Sequence, residues 1–108
     1  MVIVLIRRFV RLDREEKFLE VYRAQKPTSN PAFKGETLTR VNETPTLPPE
    51  LRGFGISGPA CATYLNIAKW DSWEAFAEEF KNAGDFDKNI ETAPRQRLVL
   101  NVITENPN

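Results

Sequence analysis

Histidine is absent from this 108-residue chain. That excludes Ser-His-Asp and Cys-His catalysis, histidine-ligated haem and most zinc sites. Cysteine is nearly absent, because Cys61 stands alone. No intramolecular disulfide can form, and a reducing compartment is the default for such a chain. Nothing beside Cys61 in sequence would lower its pKa, so it reads as a small strand residue. An excess of one charge is also missing, since fifteen Lys and Arg cancel fifteen Asp and Glu. Without a basic stripe, no nucleic-acid partner is expected. Long hydrophobic runs are lacking too. "MVIVLIRR" carries only Val2 to Ile6 between Met1 and Arg7, too little to span a bilayer or serve as a secretory signal. It reads as a buried strand of a cytoplasmic protein with no membrane partner. "GFGISG", residues 53 to 58, lacks the lysine of a P-loop and follows no clear strand. The carboxylates show no ligand spacing, so no metal is expected.

What is present suits one domain over residues 1–108. A chain of this length buries roughly two thirds of its unfolded surface without a staple. Residues 2 to 9 read as a strand. Asp13 to about Lys26 reads as a helix with Phe18, Leu19 and Tyr22 on one side, stopped by Pro27 and "TSNP". "GETLTRVN", residues 35 to 42, reads as a second strand and residues 60 to 70 as a third. Residues 72 to 82 read as a second helix, where Trp73, Phe76, Ala77 and Phe80 share one face. "QRLVLNVIT", residues 96 to 104, reads as the last strand, and residues 105–108 as a loose tail.

The two helices begin alike. "LDREEKF" and "WDSWEAF" each carry Asp, then Glu three residues on, then Phe. The pattern suits a capping box, with the Asp as cap. The order is therefore a twice-repeated strand–helix–strand. Right-handed crossovers fold it into an α+β, ferredoxin-like βαββαβ chain with a four-stranded antiparallel sheet and both helices on one face.

Alternation separates the two faces of that sheet. Ile3, Leu5, Leu65, Ile67, Leu98, Leu100 and Val102 are uniformly apolar and are expected under the helices. The other parity carries Val4, Ile6 and Arg8; Ala62, Tyr64, Asn66, Ala68 and Trp70; then Arg97, Val99, Asn101 and Ile103. That set is too apolar for open water and too polar for a plain core. A second copy of the sheet packed on it would resolve the conflict, giving a homodimer closed around a partly polar interior.

The stretch "YLNIAKWDSWEAFAEEF", set between a strand–helix pair and a final strand, resembles the antibiotic biosynthesis monooxygenase domain of the dimeric α+β barrel superfamily. The resemblance implies a small cofactor-independent monooxygenase that oxidises an aromatic hydroxyl compound, such as a hydroquinone, anthrone or polyketide, with molecular oxygen. It implies catalytic roles for Asn66 and Trp70, which would orient substrate and oxygen. Arg97 is the nearest basic residue that could stabilise a substrate oxyanion. Tyr64, Arg8 and Asn101 share the inward face and, with Phe54 of the 43–59 loop, are candidate substrate contacts. The haem-degrading branch of the family needs a histidine after the second helix, which this chain lacks.

Structural readings stand beside these. Trp70 also suits a plug between strand and helix. A mid-strand Asn66 needs partners and could bond a neighbouring strand. Arg8 and Arg97 suit salt bridges, and Tyr64 suits the core. The long 43–59 loop, with four prolines and three glycines, suits either a lid or a surface insertion. Leu51, Phe54 and Ile56 would anchor it, and "PPELRGF" could hold a helical turn. The alternative function is a non-catalytic dimeric barrel that binds a small hydrophobic ligand.

Overall fold

The computed structural model describes residues 1–56, 60–84 and 86–107. β1 spans Val2–Arg11, and a short 3-10 turn at Leu12–Arg14 leads into α1, Glu15–Ala24. β2 is Phe33–Arg40, β3 Cys61–Trp70, α2 Trp73–Phe80 and β4 Glu91–Asn101. The sheet order is β2-β3-β1-β4, with every neighbouring pair antiparallel. This is the expected βαββαβ topology, with the two halves interleaved around β1 and β3.

The faces are the reverse of the expectation. Val2, Val4, Ala68 and Trp70 form one buried cluster with Phe76 of α2. Val10, Ala62 and Tyr64 form another with Phe18 of α1 and with Ile90. The helices therefore cover the mixed face. The uniformly apolar face, with Ile3, Leu5, Leu65 and Ile67 half-buried and Leu98 and Leu100 exposed, is left open. Alternation tells the two faces apart but does not say which one the helices take. The mixed face tolerates burial because Arg8, the Tyr64 hydroxyl and the Asn66 amide N–H find carboxylate partners, as described below.

Other boundaries also moved. β4 begins five residues before its expected start and contains Pro94. A proline is admissible there because β4 is an edge strand, and its register against β1 shifts between Arg7 and Val10. β4 ends at Asn101, so Val102 and Ile103 lie beyond it. The Asp caps do not form. Arg11 and Arg14 precede the 3-10 turn and α1 without a side-chain cap, whereas Ser72 caps α2 by accepting from the Ala75 amide at 3.2 Å. Ser72→Ala is therefore expected to cost about 1 kcal/mol, read as a lowered urea midpoint at constant slope. Trp73 turns out half exposed, so α2 packs through Phe76 and, at its edge, Phe80.

The 43–59 loop contains a single turn, closed by the Leu51 amide on the Pro48 carbonyl, and no helix among its described residues. Residues 57–59 lie outside the described set. Leu51 and Phe54 do not anchor the loop among the described residues, being 62% and 87% exposed. Ile56 is half-buried, and its carbonyl accepts from Arg7 at 3.2 Å.

Candidate functional site

Between the two helices and the mixed face lies an open cavity of about 730 Å³. Small-molecule sites commonly measure about 300–1,000 Å³. The sheet supplies Ile6 and Arg8 from β1, Phe33 and Glu36 from β2, Asn66 and Trp70 from β3, and Arg95 from β4. Tyr22 and Arg23 of α1, the segment from Gln25 to Ser29, and Phe76, Glu79 and Phe80 of α2 close the helical side.

Trp70 forms the apolar end. It is 1% exposed, and its ring lies 5.3 Å from Phe33, 5.7 Å from Phe76 and 6.0 Å from Phe80, each edge-on. That packing fixes the indole, yet its buried Nε1–H has no acceptor among the described residues. Unpaired buried donors carry the full desolvation penalty, so this one is an unusual feature of an otherwise well-packed ring.

Asn66 sits one alternation step short of mid-cavity, opposite Ile6 on β1 and Leu38 on β2. Its Nδ2 donates to Glu36 Oε2 at 3.1 Å, and Tyr22 donates its hydroxyl to the same oxygen. A carboxylate accepts only, so Glu36 fixes which way the amide faces. Asn66 Oδ1 is left buried and without a partner among the described residues. The Tyr22 phenol is pushed up to about 12, first by burial and then by Glu36. It stays a donor throughout the neutral range.

Glu36 reaches this place through a backbone irregularity. Phe33 pairs with Trp70 and Glu36 with Ala68, so three steps on β2 match two on β3. Gly35 absorbs the extra residue at φ +115, a conformation in which side chains are strained. In regular alternation Phe33 and Glu36 would face opposite ways. The bulge brings both to the cavity.

The opposite wall is cationic. Glu91, 1% exposed, accepts from Arg8 Nε at 3.1 Å and Arg8 Nη2 at 3.3 Å. It also accepts from Arg95 Nε at 3.2 and 3.3 Å and from Arg95 Nη2 at 3.0 Å. Arg8 is itself buried and stacks its guanidinium 4.5 Å from the Phe18 ring. Burial pushes the Glu91 carboxyl up. The bonds from Arg95 and Arg8 and their charges outweigh that and hold it below the ordinary carboxylate range.

Of the residues singled out from sequence, Asn66, Trp70 and Arg8 meet at the cavity. Tyr64 does not line it. Its hydroxyl donates to Glu15 Oε1 at 2.7 Å, beside the Arg40–Glu15 ion pair, and its ring packs 4.6 Å from Phe18. Burial, then Glu15, raises its pKa to about 12. Arg97 shares the face, opposite Ile6, but is exposed and outside the lining. Asn101 is exposed at the end of β4, and Phe54 lines only a cleft within its own loop. Sequence reading missed Glu36, Tyr22, Glu91 and Arg95. Gly35 inside a Thr-rich strand was the available sign of a bulge. Nothing comparable marked Glu91, which falls before the expected start of the last strand.

No described helix is long and apolar enough to cross a membrane. Among the described residues, no group of three or more His, Cys, Asp or Glu could hold a metal ion.

No protein-family model matches the sequence, and no curated protein matches it. Among solved structures, a Bacillus cereus protein provisionally assigned as an antibiotic biosynthesis monooxygenase superposes with a TM-score of 0.58 at 10% sequence identity. The match covers 99% of this chain and 97% of that one. A duf3240 family protein from Shewanella baltica matches over 99% and 96% of the two chains, at 11% identity and a TM-score of 0.37. The first match shows that this chain has, over its whole length, the ferredoxin-like α+β fold of that Bacillus cereus protein.

Proposed function

We propose that the chain is a small monooxygenase that uses no cofactor and oxidises an aromatic hydroxyl compound of the hydroquinone or anthrone type with molecular oxygen. One observation carries this reading. Trp70 and Asn66, four residues apart on β3, line one cavity, and each keeps a buried polar atom without a partner among the described residues. A bound group that carries both a donor and an acceptor would satisfy the two atoms once neighbouring side chains shift to expose them.

The chemistry draws its electrons from the substrate. The hydroxyl proton passes to a base, and Glu36 is the carboxylate at hand, oriented by Tyr22 and Asn66. The electron-rich anion gives one electron to oxygen, the two radicals recombine at a ring carbon that bears hydrogen, and the peroxide anion takes the proton back from the base to become a hydroperoxide. Loss of water then leaves a carbonyl, so one oxygen atom enters the product and the other leaves as water. Donors fixed in place before reaction stabilise the developing charge, and the Trp70–Phe76–Phe80 wall keeps water from the radical pair. The proposal includes a second copy of the chain on the open apolar face of the sheet. That assembly leaves the cavity within each protomer.

The test is oxygen uptake with a panel of hydroquinones, anthrones and catechols. Wild type is expected to exceed autoxidation, with Asn66→Ala and Trp70→Phe each reducing the rate by on the order of a hundredfold while the fold persists. Uptake unaffected by either change would sink the assignment of the site. Binding without uptake would favour ligand carriage instead, a reading to which the distance of Tyr64 and Arg97 from the cavity already lends weight.

A further inference from the structure

The cavity is electrically lopsided. On the β1–β4 side two arginines, Arg8 and Arg95, converge on the single carboxylate of Glu91. Both oxygens of that carboxylate are occupied, by five N–H contacts in all. One positive charge is therefore left over beside a largely desolvated wall. Arg97 stands outside the lining, and partial burial, then the charges of Arg95 and Arg8, hold its pKa below the ordinary guanidinium value against the pull of Glu91. On the β2–α2 side the charges in the lining are carboxylates. Glu36 accepts from Tyr22 and Asn66, and Glu79 accepts from the Thr28 hydroxyl. The cations Arg23 and Lys26 lie on the rim, at and after the end of α1.

A neutral phenol would leave the surplus charge unanswered. A guanidinium pair that is already oriented and partly dehydrated is an efficient anion receptor, because its planar donors match a carboxylate. Arg8 faces Tyr64 across the ladder and Asn66 faces Ile6, so the two lie on adjacent same-face rows, about 7 Å apart along the sheet. That separation is spanned by one or two fused rings.

We infer that the cavity recognises an aromatic hydroxy acid, with its carboxylate on the Arg8–Arg95 pair and its hydroxyl toward Asn66 and Glu36. This names the substrate class for the site proposed above and rests on that site being the substrate cavity. Glu91 then acts as a positioning residue, since it holds both guanidiniums in place without touching the ligand.

The test compares two compounds that share a naphthol and carry a carboxylate or a neutral alcohol at the other end: 6-hydroxy-2-naphthoate and 6-(hydroxymethyl)-2-naphthol. Each is titrated calorimetrically into the full chain under anaerobic conditions, so no turnover is needed. The acid is expected to bind at least about tenfold more tightly. Arg95→Gln leaves a neutral Arg8–Glu91 pair and is expected to bring the ratio near one, chiefly by weakening the acid. Arg95→Lys, which restores the charge, should recover most of the preference. Equal binding by wild type, tighter binding of the alcohol, or no saturable binding of the acid at about 1 mM overturns the inference. A preference that survives Arg95→Gln overturns the assignment to this pair. Because the readout is binding alone, a failure here leaves an oxygenase of neutral phenols standing. Acid-selective binding without oxygen uptake would keep this inference and remove the oxygenase.

Discussion

Glu91→Gln is expected to lower the unfolding free energy by about 3–5 kcal/mol, the usual consequence of removing one partner from a buried ion pair. The substitution keeps the shape of the side chain and removes its charge. Arg8, with a side chain 10% exposed, and the 33%-exposed Arg95 would then face each other with no anion between them. Domains of this size have about 5–15 kcal/mol in total, so the variant would sit near the edge of folding at room temperature. Urea titration of both proteins at neutral pH measures the difference. A loss below about 1 kcal/mol would mean that water already solvates Arg8, and the cluster would count as a surface network.

The pH dependence has a definite sign. The Glu91 carboxyl is held below its ordinary value in the folded chain, against a reference near 4.5. Its contribution is therefore complete above the unfolded value and is lost as pH falls through the lower folded value. The gap between wild type and Glu91→Gln should be flat from neutral pH down to about 5 and narrow below that. A gap that widened toward acid would contradict the direction of the shift.

Ile67→Lys is expected to convert a dimer into a monomer. Ile67 lies in a row that crosses the open face, with Thr37 beside it on β2 and Leu5 then Leu98 on the far side. Leu98 is 57% and Leu100 40% exposed, and a contiguous apolar surface of this kind on a sheet marks a contact region. The occupant best suited to it is the same face of a second copy, since a two-fold contact sets each apolar row against its equivalent. Within one chain Ile67 is half-buried at an open surface, so a lysine there leaves the fold intact. Across a dimer the lysine would be buried without a partner, weakening association by about 3 kcal/mol or more, over a hundredfold in the dissociation constant. Light scattering at micromolar concentration gives the answer. A wild-type monomer would remove the second copy from the proposal, and a dimer indifferent to Ile67→Lys would move the contact elsewhere. Leu51 and Phe54 of the neighbouring loop would be the next place to look.

The topology was legible because each element announced itself locally. β1 and β3 alternate, α2 carries Phe76 and Phe80 at helical spacing, and the linkers hold most of the prolines. The choice of covered face was not legible, because both parities are largely apolar. Arg8 and Asn66 argued against burial beneath helices only while their partners were unknown. Glu91 and Glu36 supply those partners from strands remote in sequence, and one of them arrives through a bulge. Pro94 hid the first half of β4 for a related reason. A proline argues against a central strand, and only the strand order reveals that β4 lies at an edge. Asn66 and Trp70 were found because their types are unusual at those positions in an apolar strand. Arg97 and Tyr64 were grouped with them by parity alone, which fixes a face but not a distance from the cavity.

Along β1, neighbouring codons answer to different demands. Val4, Ile6 and Arg8 meet the helices and the cavity, whereas Ile3, Leu5 and Arg7 meet whatever covers the other surface. Drift in one set leaves the other untouched, since a single step along a strand crosses the full thickness of the sheet. A lineage of such chains can therefore exchange one small molecule for another without renegotiating its quaternary contacts, and can change its companions without losing its chemistry.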